Sequence, residues 1–253
     1  MSLVLVSVTD GVATLTLNNP DERNTLTQPM VEEITAAMDE IEGNEKIGAL
    51  VVTGAAPAFC AGANLGNLQT ASGQSLGTIY EGFLRIARSP LPTIAAVNGA
   101  AVGAGMNLAL GCDLRIAAPH AQLGLTETSL AIIPGAGGTQ RLPRLIGKAR
   151  AKELILTARK LSAAEAERMG LVNFVADEGK LREKGLEVAR AIAANGPVAV
   201  RAAKRAIDEG CELPQAQGLE VEARCYELVL PTQDRKEALA AFAEKRTPRY
   251  TGA

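Results

Sequence analysis

The sequence GAGMNLALGCD, residues 103–113, joins a glycine-rich turn directly to a helix-like stretch. The short apolar segment TIAAV, residues 93–97, precedes it and has the composition of a buried strand. A second apolar segment, ALVVTG at 49–54, lies further upstream and is followed by the glycine-containing segment AFCAGANL at 58–65. Strands, turns and helices at this spacing predict an α/β core.

Both glycine-rich segments offer main-chain N–H groups to a ligand. N–H groups at the start of a helix have no partner within the helix, and the helix dipole adds positive character there. Two such donors that converge on one oxygen atom make an oxyanion hole. The alternative interpretation is that the glycines only permit tight packing, and the residues by themselves leave both interpretations open.

The segments around this core carry recognisable start and stop signals. Val4, Val6 and Val8 occupy alternate positions before the turn Asp10-Gly11, and alternation resumes after it, which predicts a hairpin. Thr27, followed by a proline near the helix start, predicts the N-cap of the first helix.

The second half of the chain changes character at about residue 195. Ser162 and Glu165 have the spacing of a capping box, and the helix that they begin leads into a predicted strand, LVNFV at 171–175. Beyond Asn195 the pattern is helical only. We therefore expect an α/β body at residues 1–195 and a C-terminal helical segment at 196–253.

Composition excludes several classes of function. A net charge of -2 gives no overall basic field, which argues against nucleic-acid binding. No membrane anchor is expected, because the uncharged stretch 89–112 is interrupted by prolines and glycines. Four widely spaced cysteines, without a C-x-x-C pair, and a single histidine predict a reduced chain without a metal site. The first residues lack the basic and apolar regions of a signal peptide, so the expected location is the cytoplasm.

A serine hydrolase is one alternative that a motif supports. GQSLG at 73–77 matches the nucleophile pattern G-x-S-x-G around Ser75, and Asp113 and His120 follow in the order of a catalytic triad. That pattern requires a strand before it and a helix after it, whereas the surrounding glycines and polar residues favour a loop. The dinucleotide fingerprint G-x-G-x-x-G fails at both Gly103 and Gly135, because the third glycine is absent.

An ordered set of segments resembles the crotonase superfamily of enoyl-CoA hydratases and isomerases. The set comprises AFCAGANL, GAAVGAGMNLALGCD, GLTETSLAIIPGAGGTQRL, LSAAEAERMGLV and AFAEKRTPRY, and the similarity is strongest to the methylglutaconyl-CoA hydratase branch. The resemblance implies a spiral of β-β-α units with a C-terminal helical segment that forms a homotrimer or homohexamer. It also implies an acyl-CoA substrate in fatty acid metabolism and no separate cofactor, since coenzyme A is part of the substrate. An RNA-binding role, which one member of that branch has, is the other alternative; the acidic first helix opposes it.

The resemblance also assigns roles to individual residues. Ala63 and Ala104 match the two main-chain donors for the thioester oxygen, although the family usually has glycine at the second position. Glu127 matches a catalytic glutamate, whereas Asn107 stands where the family's hydratases carry another. Gly135 matches a position that lines the catalytic water or the α-carbon, at the N-terminus of the helix after IIP.

An amide at position 107 narrows the expected chemistry. Asn107 can hold a water molecule or a carbonyl group but cannot exchange a proton near pH 7. The expected site therefore stabilises an enolate and moves protons with one carboxylate, either by hydration of a 2-enoyl-CoA or by isomerisation of a 3-enoyl-CoA.

The resemblance places coenzyme A against residues of three segments: Arg23, Ala61, Asn64, Leu65, Phe242 and Lys245.

Overall fold

Two β-sheets and the helices between them form the body of the protein. The computed structural model describes residues 2–63, 80–81 and 84–253. Strands within these residues are β1 Val4–Thr9, β2 Val12–Leu17, β3 Ala49–Gly54, β4 Ala58–Cys60, β5 Thr93–Val97, β6 Ala100–Val102, β7 Leu114–Ala117, β8 Gln122–Gly124, β9 Leu161–Ser162 and β10 Phe174–Val175. Helices are α1 Gln28–Gly43, α2 Ala104–Gly111, α3 Gly138–Ile146, α4 Lys148–Thr157, α5 Ala163–Arg168, α6 Leu181–Ala193, α7 Pro197–Gly210, α8 Gln215–Val229 and α9 Gln233–Glu244. Residues 84–87 are also helical, and 3₁₀ turns occupy Pro20–Glu22 and Glu127–Leu130.

The chain alternates between the two sheets. The larger sheet has the order β1-β2-β3-β5-β7-β10 and is parallel except for the β1-β2 hairpin. The smaller sheet has the order β4-β6-β8-β9, and its first three strands are parallel. Each of β3, β5 and β7 in the larger sheet is followed by the next strand of the smaller one, so successive turns of the chain stack on each other. The predicted α/β spiral of β-β-α units is confirmed.

Apolar side chains cover both faces of the larger sheet. Its central strands are almost completely buried, which is typical of parallel strands. One face packs on the main core, to which α1 contributes Ile34 and Met38, and the other face packs on α6 through Ala189. The central strands of the larger sheet are therefore shielded from water on both faces.

Several local predictions are confirmed. The hydroxyl of Thr27 accepts a hydrogen bond from the main-chain N–H of Met30, and both halves of the Ser162–Glu165 capping box are formed. The described helices include none that is long and apolar enough to cross a membrane.

The predicted hairpin is confirmed, since β1 and β2 pair as antiparallel strands. Val6 and Val8 are 40 % and 50 % exposed, because β1 is an edge strand whose face the core does not cover. One other strand prediction needs correction. The segment LVNFV is extended only at Phe174–Val175. The N–H groups of Leu171 and Val172 instead bind the carbonyl of Ala166, so the end of helix α5 uses the donors that a longer strand would need.

The residues after Asn195 form three helices, and these contact the body through a charged pair. Nζ of Lys204 in α7 lies 2.7 Å from Oδ1 of Asp113. Asp113 also accepts a hydrogen bond from the main-chain N–H of Thr93 at 2.7 Å. The two charged side chains are 12 % and 28 % exposed, so the pair is largely shielded from water and connects α7 to the end of α2.

Candidate active site

Two main-chain N–H groups, those of Ala63 and Ala104, lie on neighbouring turns that follow β4 and β6. The carbonyl of Gly62 accepts a hydrogen bond from the N–H of Leu26 at 2.8 Å. Because the C=O and N–H of a trans peptide point in opposite directions, the N–H of Ala63 points away from Leu26. In the same way, the carbonyl of Gly103 accepts from the N–H of Asn107, so the N–H of Ala104 points out of the start of α2.

Glycine permits this close approach. Gly62 and Gly103 have φ angles of 103° and 57°, a region that other residues rarely adopt. An ideal Cβ at Gly62 would lie 3.4 Å from the nitrogen of Ala104, which shows that the two turns are neighbours. An ideal Cβ at Gly105 would lie only 2.0 Å from the carbonyl oxygen of Cys60, so α2 rests directly on the backbone of β4.

The carboxylate of Glu127 borders the same turns. Oε1 of Glu127 would lie 3.7 Å from an ideal Cβ at Gly103. It accepts a hydrogen bond of 3.4 Å from Nδ2 of Asn107, a side chain that is 2 % exposed. Oδ1 of Asn107 and Oε2 of Glu127 are both buried and have no hydrogen-bond partner among the described residues. Two acceptor atoms are thus directed into the site, where a bound molecule would complete their hydrogen bonds.

Burial changes the acidity of the Glu127 carboxyl group. Loss of solvation raises the pKa of Glu127, and the hydrogen bond from Asn107 acts in the opposite direction. A carboxylate whose pKa is raised towards neutrality is a more effective general base than a solvated one.

The turn before α3 closes another side of the site, and here one prediction was wrong. Helix α3 begins at Gly138 with Gly137 as its N-cap, so Gly135 lies before the helix and is not at its N-terminus. The N–H of Gly138 bonds back to the carbonyl of Gly135 at 3.1 Å, which closes a tight turn. An ideal Cβ at Gly138 would lie 2.3 Å from Oδ1 of Asn107, so that amide fits only because residue 138 has no side chain.

Tyr80 is a site residue that the sequence did not indicate. An ideal Cβ at Gly135 would lie 2.4 Å from the phenol oxygen of Tyr80. The tyrosine follows a polar stretch far from the other site segments, and the only signal in the sequence is that both Gly135 and Gly138 lack side chains. Burial raises the pKa of Tyr80, and the negative charge of Glu127 raises it further.

Two of the predicted coenzyme A residues are neighbours. The N–H of Ala61 donates to the carbonyl of Arg23 at 3.0 Å, and the Arg23 side chain is exposed beside it. Arg23 has a left-handed φ of 53°, which turns the chain towards β4. Asn64 and Leu65 lie outside the described residues.

Phe242 and Lys245 lie at the end of α9. Phe242 is 86 % exposed, and Lys245 caps the helix with its N–H bonded to the carbonyl of Phe242. Within the part of the chain that the structure describes, no hydrogen bond connects either residue with Glu127 or Arg23.

The catalytic triad of the hydrolase alternative is not assembled. Ser75 lies outside the described residues. Asp113 pairs with Lys204 and Thr93, whereas the two ring nitrogens of His120 face Asn98 and Glu178. The aspartate therefore does not orient the histidine as a triad requires.

Among the described residues, no three His, Cys, Asp or Glu side chains cluster closely enough to hold a metal ion.

The chain is similar to known proteins over nearly its whole length. A sequence model described as enoyl-CoA hydratase/isomerase matches residues 7–253. A probable mitochondrial enoyl-CoA hydratase 2 of Arabidopsis thaliana is 47 % identical over 248 residues, or 96 % of this chain and 82 % of the relative. The mitochondrial methylglutaconyl-CoA hydratase of Homo sapiens is 42 % identical over 251 residues, or 96 % of this chain and 74 % of the relative. The crystal structure of an enoyl-CoA hydratase from Bacillus anthracis has a TM-score of 0.96 and 46 % identity, over 99 % of this chain and 100 % of that one.

Proposed function

Because the chain belongs to the enoyl-CoA hydratase/isomerase family, we propose that the N–H groups of Ala63 and Ala104 bind the thioester oxygen of an acyl-CoA. Glu127, at the border of the same turns, then moves protons at the acyl chain. The observation that carries this proposal is the convergence of the two turns: Gly62 adjoins the nitrogen of Ala104, and Gly103 adjoins the carboxylate of Glu127.

The two N–H donors stabilise the enolate that forms when a proton is removed from, or a nucleophile is added to, the acyl chain. Each main-chain donor of this kind contributes about 10²- to 10³-fold to the rate. The donor at Ala104 also lies at the start of α2, where the helix dipole favours negative charge. A methyl group on Cα does not block the N–H of the same residue, so alanine can replace the glycine that the family usually has there.

Glu127 is the proposed general base, and Asn107 orients it. Since an amide cannot exchange a proton near pH 7, the site has one carboxylate where a two-carboxylate hydratase has a pair. Proton shuttling between the α and γ carbons of a 3-enoyl-CoA needs only this group. Hydration of a 2-enoyl-CoA also requires the removal of a proton from the attacking water molecule, so Glu127 would have to carry out both proton transfers.

Both reactions can be measured on the purified protein. Crotonyl-CoA reports hydration, and a 3-enoyl-CoA reports isomerisation. Glu127→Gln should lower whichever reaction the wild type performs by about 10²- to 10⁴-fold, the usual contribution of one positioned base. Glu183→Gln, on the exposed side of α6, is the matched control. Activity at wild-type rates in Glu127→Gln would refute the proposal.

The nucleotide portion of coenzyme A is proposed to lie against Arg23 and Ala61. The exposed guanidinium of Arg23 offers charge to phosphates next to the turn that carries Ala63. Phe242 and Lys245, together with Asn64 and Leu65, complete the proposed set. Arg23→Ala should raise KM for the acyl-CoA and leave kcat nearly unchanged.

A homotrimer or homohexamer is proposed from the apolar surface of the C-terminal helices. Large apolar side chains on α8 and α9 are more than half exposed in the single chain: Leu219, Tyr226, Leu228, Leu239 and Phe242. Patches of this kind mark interfaces in soluble proteins. Light scattering coupled to size exclusion should give three or six times the chain mass.

All four cysteines are free thiols, which supports a reducing compartment, and the cytoplasm is the proposed location.

A further inference from the structure

The turn at residues 135–138 borders the amide of Asn107. The N–H of Gly138 closes this turn by donating to the carbonyl of Gly135 at 3.1 Å. An ideal Cβ at Gly138 would lie 2.3 Å from Oδ1 of Asn107, so the amide oxygen lies against the backbone of the turn. The position of the turn therefore limits where the amide can point.

Hydrogen bonding by itself holds the Asn107 amide only weakly. Its Nδ2 donates to Oε1 of Glu127 at 3.4 Å, which is long for a hydrogen bond. Its Oδ1 has no hydrogen-bond partner among the described residues. Packing against the turn must therefore supply much of the restraint that keeps Nδ2 directed at the carboxylate.

The turn has a backbone conformation that needs support. Ala136 and Gly137 have φ angles of 51° and 93°, so two successive residues are left-handed. Glycine adopts this region readily, whereas in a residue with a Cβ it costs conformational free energy. Contacts from outside the turn are needed to stabilise Ala136.

The side chain of Arg141, in the first turn of α3, supplies such a contact. Its Nη1 donates to the carbonyl of Ala136 at 2.6 Å. An ideal Cβ at Gly137 would lie 2.5 Å from the same nitrogen, so the guanidinium folds back over the turn. Within the described part of the chain, Arg141 forms no ion pair with a carboxylate. Its half-buried positive charge is directed at a main-chain carbonyl instead, and hydrogen bonds from charged donors are the stronger ones.

We propose that Arg141 is a positioning residue for the proposed reaction. Its bond to the carbonyl of Ala136 holds the turn against Asn107, and the amide thereby stays directed at Glu127. This inference rests on the proposed function, since it concerns the base that Glu127 provides there. The printed geometry gives Arg141 no hydrogen bond to Glu127 among the described residues, so its effect on the base passes through the turn.

Arg141→Met tests this role, because methionine keeps an unbranched side chain and removes the donor. With the turn released, Asn107 should lose much of its bond to Glu127, and the ionised carboxylate should be less stabilised. The acidic limb of the kcat/KM profile should then move to higher pH, and kcat/KM on the acidic side should fall by about three- to tenfold. Crotonyl-CoA or a 3-enoyl-CoA serves as substrate, whichever the wild type converts. A merely structural role would lower the active fraction equally at every pH and leave the limb in place.

The neighbouring ionisable groups do not titrate in the range of this measurement, about pH 5 to 9. Burial raises the pKa of the Cys112 thiol, which lies near Arg141, to about 12. The pKa of Tyr80, which the charge of Glu127 reaches, is also raised. Arg88, the other charged group near Arg141, carries a guanidinium that stays protonated. Among the described residues, the limb therefore reports the ionisation of Glu127.

A double substitution locates the effect at the amide. Asn107→Leu removes the group that the turn is proposed to hold, so the addition of Arg141→Met should move the acidic limb no further. Arg144→Met is the matched control and should leave the limb in place, because Arg144 lies on the exposed side of the same helix and pairs with Glu212.

A folded Arg141→Met protein with the wild-type limb would overturn the proposal, as would a further shift when Arg141→Met is added to Asn107→Leu. If Arg141→Met does not fold, Arg141→Lys replaces it in the test. Lysine offers a compact ammonium group instead of the guanidinium fork, so a smaller shift in the same direction is expected, and an unchanged limb would then overturn the proposal. These outcomes leave the proposed function intact; it fails instead if Glu127→Gln keeps wild-type activity.

Discussion

Nδ2 of Asn107 donates a hydrogen bond to Oε1 of Glu127 at 3.4 Å, from a side chain that is almost completely buried. The bond stabilises the ionised carboxylate and so opposes the effect of burial on its pKa. In the proposed reaction, Asn107 therefore keeps Glu127 available as a base and takes no part in proton transfer itself.

Removal of this amide should shift the pH dependence of catalysis. Asn107→Leu keeps the approximate volume but removes the donor, so the pKa of Glu127 should rise further. Since the base must be ionised, kcat/KM should fall by about tenfold on the acidic side, a typical value for one lost hydrogen bond to a charged group. The acidic limb of the kcat/KM profile should move to higher pH, whereas an unchanged limb would mean that the hydrogen bond does not act on Glu127.

Glu127 should also lower the stability of the folded protein at high pH. Its pKa is higher in the folded state than the ordinary value of 4.5, so the folded state binds the proton more tightly than the unfolded chain does. The resulting stabilisation is complete below pH 4.5 and is lost as pH rises through the raised pKa. Glu127→Gln cannot ionise and should melt at a higher temperature than the wild type at pH 8. The difference in melting temperature should disappear near pH 4. If Glu127→Gln instead melts at a lower temperature than the wild type at pH 8, the ionised carboxylate is better stabilised in the folded protein than in water.

The contact between α2 and β4 should tolerate no side chain. Gly105→Ala places a methyl group against the carbonyl of Cys60 and forces α2 away from the strand. We expect a loss of about 1–3 kcal/mol in unfolding free energy, as for other overpacked sites, together with a large loss of activity. Urea denaturation measures the first and an enoyl-CoA assay the second. Gly43→Ala is the control, because an ideal Cβ at Gly43 meets no atom within 4 Å.

The glycine pattern in the sequence indicated two turns, and Gly62 and Gly103 do have the positive φ angles that glycine adopts readily. The pattern alone left open whether the N–H groups of these turns bind a ligand or the glycines only permit tight packing. Glu127 and Asn107 could be placed together only through the family resemblance, since 20 residues separate them and no local pattern links a helix to a 3₁₀ turn. Tyr80 could not be placed at all. Its contact with Gly135 joins segments far apart in sequence, and a missing side chain at 135 has many explanations.

Arg115 is a residue whose contribution to stability could not be predicted from the sequence. It is 4 % exposed, and its guanidinium donates to the carbonyls of Leu171 and Cys112, both at 2.7 Å. Cys112 follows the last residue of α2, so a buried cation terminates the helix whose other end carries the Ala104 donor. In the sequence, Arg115 is only a single charged residue within a predicted strand, and nothing there indicates that it caps a helix.

Replacement of Arg115 should therefore destabilise the protein. Arg115→Met leaves two buried carbonyl groups without donors, and each unsatisfied group costs about 1–3 kcal/mol. The melting temperature should fall by about 2–4 °C for each kcal/mol lost. Arg182→Met, at an exposed position on α6, should melt within about one degree of the wild type, since surface changes usually cost less than about 0.5 kcal/mol. Equal melting temperatures for the two variants would contradict the capping role of Arg115.

A crystal structure with bound butyryl-CoA tests the central claim most directly, because this saturated thioester binds without reacting by hydration. The account predicts that the thioester oxygen lies within hydrogen-bond distance of the nitrogens of both Ala63 and Ala104, with the carboxylate of Glu127 facing the α-carbon. A thioester oxygen bound elsewhere, or a Glu127 carboxylate turned away from the α-carbon, would contradict it.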